Sequence, residues 1–197
     1  MPELPEVETI RRVLEPQVKG REILQVTVEN PSVIFHPAAD AFCGLLRGEV
    51  ISSMSRRGKF LRMHMKSGGS LVLHLRMTGC LLVTPSGYPL EKHTHVVFQL
   101  SGGNELRFSD VRRFGRIWFL QNGEEDTYSG MDRLGLEPFD AACDAAYLKA
   151  RFGKRKKAIK ECLLEQSGVA GIGNIYSDEI LFRGAVQPLS AYMKAAA

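Results

Sequence analysis

Little in this sequence of 197 residues points to secretion, a membrane or a disulfide scaffold. No apolar run reaches the roughly 20 residues that a bilayer demands. The chain opens Met1-Pro2-Glu3, with neither a basic segment nor an apolar stretch behind it, so no signal peptide is expected. Cysteine is scarce. Cys43, Cys80, Cys143 and Cys162 are isolated, and none has C-x-x-C spacing. That argues against a zinc ribbon and a disulfide framework, and for free thiols in a reducing cytoplasm. Internal repeats are absent, and the only low-complexity tract is Ala195-Ala196-Ala197. An excess of one charge is nearly absent too. A net charge of +4 permits a nucleic-acid partner without requiring one. A hydrophobic fraction of 44% is enough for a real core in one large domain or two small ones.

The opening reads as a helix. Pro5 suits the first helical position, and Glu6 and Glu8 favour the positive end of the dipole. Val7, Ile10 and Leu14 form one apolar stripe, and Pro16 or Gly20 ends it. A β-rich region follows. Alternating runs lie at 24–28, 61–66 and 71–76, and residues 96–100, 105–108 and 116–120 look similar. Gly68-Gly69, Pro85-Ser86-Gly87 and Gly102-Gly103-Asn104 punctuate these runs as turns. Short strands divided by turns predict an antiparallel sandwich or barrel, with a short helix near 38–47. From about Asp140 the pattern becomes helical, over 141–152, 154–166 and 174–183. Between the last two, Gly168, Gly171 and Gly173 imply unusual torsions or a backbone held close to something. The fold class expected is α+β. Residues 1–133 form a catalytic β-sandwich with flanking helices, 134–150 a linker and the start of a helical domain, and 151–197 a helical DNA-binding region.

Pro2 is the unusual residue for chemistry. With Met1 removed it is a secondary amine at the chain terminus, partly unprotonated at neutral pH. Such an amine can attack an electrophilic sugar carbon and form an iminium. Taken alone, a second-position proline more often just follows the start codon. Glu3 and Glu6, however, lie close by, and carboxylates beside a nucleophilic amine can protonate a leaving group or relay a proton. Arg56-Arg57-Gly58-Lys59-Phe60 could bring Lys59 to a phosphate or sugar, though by itself it reads as a solvated turn. Arg112-Arg113-Phe114-Gly115 joins cations that position phosphates to an aromatic that can wedge between base steps. Its plain reading is a strand with surface arginines. His74 and His93, as isolated residues, read as structural. The run Lys154-Arg155-Lys156-Lys157 reads as a solvated helix face, although it precedes a glycine-rich loop and a helix start, where N–H groups bind phosphate.

Taken in order, these blocks resemble the formamidopyrimidine-DNA glycosylase family. The opening Met1-Pro2-Glu3-Leu4-Pro5-Glu6-Val7-Glu8-Thr9 is similar to the family's start, and the endonuclease VIII branch usually has glycine where this chain has Leu4. Arg57-Gly58-Lys59-Phe60, His74-Leu75-Arg76-Met77-Thr78-Gly79, Glu91-Lys92-His93 and Asp110-Val111-Arg112-Arg113-Phe114-Gly115 resemble later blocks. Val169-Ala170-Gly171-Ile172-Gly173-Asn174-Ile175-Tyr176 resembles the helix–two-turn–helix segment. The likeness runs from residue 1 to about 188. Any one block is weak; the ordered set is specific.

The resemblance implies a base-excision-repair glycosylase and abasic-site lyase acting on oxidised purines in double-stranded DNA, as a monomer in the bacterial cytoplasm at the nucleoid. It implies that Pro2 is the nucleophile, Glu3 the general acid, Glu6 a support for the sugar or a proton relay, and Lys59 the lysine of β-elimination. Met77, Arg112 and Phe114 fill the gap left by an everted nucleotide. His74, His93, Arg112, Arg155 and Asn174 bind DNA. Members usually continue into further helices, a lesion-contacting loop and a zinc finger with four cysteines. These 197 residues hold none of those, so no metal ligand is expected here. Two other readings follow from the same residues: a truncated DNA-binding module with negligible turnover, and a ribosome-associated RNA-binding protein. The Pro2-Glu3 start and the wedge residues argue against the second, because RNA scaffolding needs neither.

Overall fold

The computed structural model describes residues 1–189. The chain forms two compact units. One comprises Met1–Arg56 with Phe60–Ser129; the other takes the turn Arg57–Lys59 together with the chain from Gly130 onward. Among the described residues no helix is long and apolar enough to cross a membrane.

The first unit begins with α1 (Leu4–Val18), then β1 (Ile23–Val28), β2 (Ile34–His36) and α2 (Ala39–Leu46). The strands β3 (Ile51–Arg57), β4 (Phe60–Met65), β5 (Ser70–His74), β6 (Gly79–Pro85), β7 (Thr94–Leu100), β8 (Asn104–Asp110) and β9 (Arg116–Leu120) follow. One sheet has the order β1-β7-β8-β6 and the other β2-β9-β5-β4-β3. The expected antiparallel pattern holds throughout the first sheet. The second needs a correction, because β2 runs parallel to β9. A parallel neighbour requires a long connection, and β2 and β9 lie far apart in the chain. Strands β2, β3 and β6 were not legible as alternation. β2 is three residues long, β3 reads Ile-Ser-Ser-Met-Ser-Arg-Arg and β6 reads Gly-Cys-Leu-Leu-Val-Thr-Pro, so none of the three alternates regularly.

The core lies between the sheets. Leu61 pairs with Leu73, Met63 with Leu71, Leu71 with Phe119 and Leu73 with Ile117. This row belongs to one cluster with Phe98, Leu100, Leu106 and Phe108 of the other sheet and with Val7, Leu14 and Val18 of α1. Each such side chain contributes about 1.5–3 kcal/mol on burial. β5 departs from simple alternation, since all five of its residues are buried. Its outer face carries Val72 opposite Trp118, and His74 with Phe60 edge-on at 4.6 Å. Helix α1 continues through Pro16 and stops at Val18; Gly20 then turns the chain at φ +78°.

The second unit holds α3 (Ala145–Phe152), α4 (Ile159–Leu164) and α5 (Asn174–Arg183). Phe152, Ile159, Cys162, Leu163, Val169, Ile172 and Leu181 form its core. Helix α3 starts later than expected, because the Asp144 carboxylate caps it by accepting the Tyr147 N–H at 2.7 Å. Helix α4 is likewise shorter than the span 154–166. The run 154–157 is not a helix face but an irregular approach to α4, and adjacent like charges would repel one another along a helix.

Candidate functional site

In the first unit the chain start is held by its own helix. Glu3 is the N-cap of α1, and Glu3 and Glu6 form a capping box. Oε2 of Glu6 accepts the Glu3 backbone N–H at 2.8 Å. Glu3 is nearly fully buried at 2% exposure, whereas Glu6 faces solvent. Pro2 therefore precedes a rigid helix terminus rather than a loose tail. Its nitrogen is acylated by Met1 as the chain is written, and only removal of Met1 makes it an amine.

Met1 borders a cavity of about 500 Å³ lined also by Phe35, Arg76, Met77, Arg113, Phe114 and Arg116. The resemblance offered Met77, Arg112 and Phe114 as a void-filling set, and the structure brings the three side chains together. Nη1 of Arg112 lies 3.0 Å from the Met77 sulfur, and its guanidinium sits 4.7 Å from the centre of the Phe114 ring. Met77 and Phe114 are each about half exposed, so apolar surface is presented to solvent where burial would be the default. The loops carrying them are strained. Arg76 has φ +54° and Arg113 φ +58°, left-handed values that cost a residue with a Cβ roughly 1–2 kcal/mol each.

Several residues of this site were missed by sequence reasoning. Asp110 is buried, and its carboxylate accepts from the Gly115 N–H at 2.7 Å, the Arg112 N–H at 3.1 Å and the Thr78 hydroxyl. Burial raises its pKa, but these hydrogen bonds with that of Phe114 outweigh burial and hold the carboxyl below its ordinary value. An aspartate bonding the N–H two residues on is a turn signal that the sequence did carry. Arg76, Arg113 and Arg116 ring the cavity, and none forms an ion pair among the described residues. Arg116 lies over the Phe35 ring at 4.5 Å. Burial, and next the nearby Arg116, lower the Arg76 guanidinium from its ordinary pKa. An anion at this rim would relieve that repulsion.

His74 is buried, and its Nδ1 accepts the Arg76 N–H at 3.0 Å, so it also shapes the Met77 loop. His93 is half-buried, and its carbonyl accepts the Asp110 N–H at 3.0 Å. The segment before it is tied by Arg107, which bonds the Glu105 carboxylate and donates to the carbonyls of Tyr88 and Pro89 at 2.6 and 2.9 Å.

Lys59, Arg155 and Asn174 belong to the second unit. Lys59 is buried and follows Gly58, whose φ is +57° and whose N–H donates to Glu137 at 2.7 Å. A Cβ on Gly58 would sit 3.1 Å from Leu134 Cδ1. The solvated turn is thus a packed one. Arg155 is paired with Glu165, which also takes Lys157 at 2.7 Å. Asn174 is exposed at the start of α5. The glycine loop before it is stapled by Gln166, whose amide donates to the carbonyls of Leu164 and Ile172 and accepts the Gly171 N–H. Gly171 has φ +93°. The Tyr147 hydroxyl adds a bond to the Gly168 carbonyl at 2.7 Å.

Among the described residues no group of three or more His, Cys, Asp or Glu could hold a metal. Burial pushes the thiols of Cys43, Cys80, Cys143 and Cys162 up.

Comparison with known proteins agrees with this arrangement. Residues 1–117 match the family model for the formamidopyrimidine-DNA glycosylase N-terminal domain, and residues 134–194 match that for the H2TH domain of the same enzyme. The chain is 50% identical over 188 residues to formamidopyrimidine-DNA glycosylase of Moorella thermoacetica, covering 95% of this chain and 69% of that protein. The same enzyme of Desulforamulus reducens is 47% identical, with 95% and 68% covered. Among solved structures, Lactococcus lactis formamidopyrimidine-DNA glycosylase bound non-covalently to DNA with an abasic site superimposes with a TM-score of 0.91 at 33% identity, over 98% of this chain and 73% of that one. A variant of the Lactococcus enzyme in complex with Fapy-dG DNA gives 0.91 at 34% identity, over 98% and 70%. Sequence, fold and the ordered motifs converge: this chain belongs to the formamidopyrimidine-DNA glycosylase family.

Proposed function

We propose that this chain is a base-excision-repair DNA glycosylase and abasic-site lyase that removes formamidopyrimidines and 8-oxoguanine from damaged duplex DNA, acting as a monomer at the bacterial nucleoid. The observation that carries the reading is the cavity in which the chain start meets the exposed wedge residues Met77 and Phe114. An enzyme working on a base must take it out of the stack, and inserted side chains recover part of that cost of a few kcal/mol. Family membership and the relatives' complexes with Fapy-dG and abasic DNA support the choice of substrate.

In this mechanism removal of Met1 exposes the Pro2 amine. Its nitrogen bonds C1′ of the everted nucleotide, and the C1′–N bond to the base breaks with its electron pair going to the base. Glu3 supplies the proton that the leaving base takes. The proton of the amine passes through Glu6 to the ring oxygen as the sugar opens to an iminium. The iminium acidifies the C2′ protons. Solvent water takes one, its C–H electron pair forms the C2′–C3′ double bond, and the C3′–O bond breaks with its pair going to the departing 3′ phosphate, the step to which Lys59 is assigned. Water then hydrolyses the imine and returns the Pro2 amine. Arg112, His74, His93, Arg155 and Asn174 hold the DNA backbone.

The test is borohydride trapping on an abasic oligonucleotide, read by mass. Purified chain lacking Met1 should form a covalent adduct, and chain with an uncleaved N-terminal tag should not, at similar DNA affinity. Trapping by the blocked chain moves the nucleophile elsewhere, with Lys59 next. Binding without trapping by the free terminus would favour the DNA-binding module.

A further inference from the structure

The wedge is not held by its own side chains. Arg112 touches Met77 and Phe114, but all three are exposed, and two neighbours sit in left-handed torsions that only a surrounding network of contacts sustains. That network converges on one buried side chain. Through its carboxylate Asp110 bonds the backbone of Arg112 and Gly115 on its own loop. It also bonds the hydroxyl of Thr78, the residue after Met77, on the other loop. The Thr78 oxygen in turn lies 3.3 Å from the Arg112 N–H. Through its backbone Asp110 donates to the His93 carbonyl at 3.0 Å and accepts from Nε2 of the buried His95 at 2.7 Å. A Cβ on Gly115 would meet the Phe108 ring and lie 3.1 Å from the Asp110 carboxylate, so glycine is required where the loop closes on it.

We propose that Asp110, with Thr78 as its partner, is a positioning residue that couples the two loops of the void-filling set to each other and to His93, so that Met77, Arg112 and Phe114 enter the duplex as one unit. This rests on the function proposed above, because it names what sets the geometry of that site. Asp110 touches no DNA in this role. A charge-assisted network centred on one carboxylate holds its loops more firmly than neutral bonds would. The single linkage also explains why exposed apolar side chains on separate loops remain in register before DNA arrives.

The test separates insertion from chemistry. Duplex DNA carrying a tetrahydrofuran abasic analogue, with 2-aminopurine in the opposite strand beside the gap, reports insertion as a rise in fluorescence, with no reaction. At saturating full-length chain, Asp110→Asn and Thr78→Val should each cut the amplitude at least severalfold, and Thr78→Ser should restore it. In parallel, borohydride trapping on abasic duplex should fall about tenfold relative to trapping on an abasic single strand, which has no opposite base to displace. Full amplitude with both substitutions overturns the proposal, as does an equal fall on duplex and single strand, which would make Asp110 merely structural. Should Asp110→Asn fail to fold, Thr78→Val decides alone, since it removes one hydroxyl and keeps the shape. Absence of trapping by the unsubstituted chain counts against the Pro2 chemistry and leaves the fluorescence arm to decide on Asp110.

Discussion

Glu3→Gln separates the capping role that the structure gives Glu3 from the acid role proposed for it. Glu3 is buried and caps α1, so a loss of activity on mutation could be structural. The amide oxygen of glutamine still accepts a backbone N–H, and the Glu6 carboxylate still takes the residue 3 N–H, a contact of 2.8 Å in the parent. The cap survives, and the melting temperature should fall by less than about 2 °C. Glu3→Ala removes the cap acceptor, which costs about 1 kcal/mol and about 2–4 °C in a domain of this size. An amide, however, cannot protonate a leaving base. General acid catalysis contributes about 10²–10⁴-fold, or ~2.7 kcal/mol at the lower end. Single-turnover excision from an oxidised-purine duplex should therefore slow by at least about 10²-fold in Glu3→Gln, while nicking of a preformed abasic site changes far less, because its base has already gone. Both rates are read on one gel, with melting measured on the same preparation. Equal losses on the two substrates, or a melting shift as large as that of Glu3→Ala, would refute the assignment of Glu3 as leaving-group acid.

Further outcomes follow from other contacts. Glu165→Gln should release Arg155 and Lys157, tightening DNA binding and steepening the plot of log affinity against log salt by up to about 0.9 for each additional phosphate neutralised; an unchanged slope would remove Arg155 from the interface. Glu8 is held at about 2, foremost by its bond to Arg11 and also by Arg12 and Arg56, against an ordinary 4.5. Its folded pKa is depressed, so its contribution is complete above about pH 4.5 and is lost as pH falls toward 2. Glu8→Gln should lower stability at pH 7 and flatten the acid limb of a circular-dichroism titration in that window; parallel acid limbs would contradict this. Gly168→Ala would press a methyl into the buried Phe152 ring, with Cε1 at 2.6 Å, and should destabilise the second unit by about 1–3 kcal/mol. Hydrogen exchange of α3 and α4 amides checks it, and unaltered protection would mean the ring moves freely.

By itself the sequence determined the local periods and the ordered motifs. Proline at the first helical turn, alternation over 61–65 and 71–75, and the apolar spacing of α5 depend on near neighbours, so α1, β4, β5 and α5 were legible. Pro2 beside Glu3 stood out as a candidate in the same way, because the reactivity of a terminal secondary amine belongs to residue type. Strands β2, β3 and β6 were not, because β2 is only three residues long and β3 and β6 carry no regular alternation, so hydrogen bonds from partners remote in the chain set their form. The approach to α4 read as helix because a run of lysine and arginine carries no period, and only Glu165 folding back on Arg155 and Lys157 settles where it lies. Asp110 was visible in a motif but had no role there. The role proposed for it needs Thr78, His93 and His95 brought around one residue by the β6-β8-β7 pairings, and no local pattern records pairings of that range. The resemblance named Met77, Arg112 and Phe114 as one set, while only the tertiary structure shows their contacts and the buried Asp110 that bonds the loops carrying them, because such contacts join residues remote in the chain.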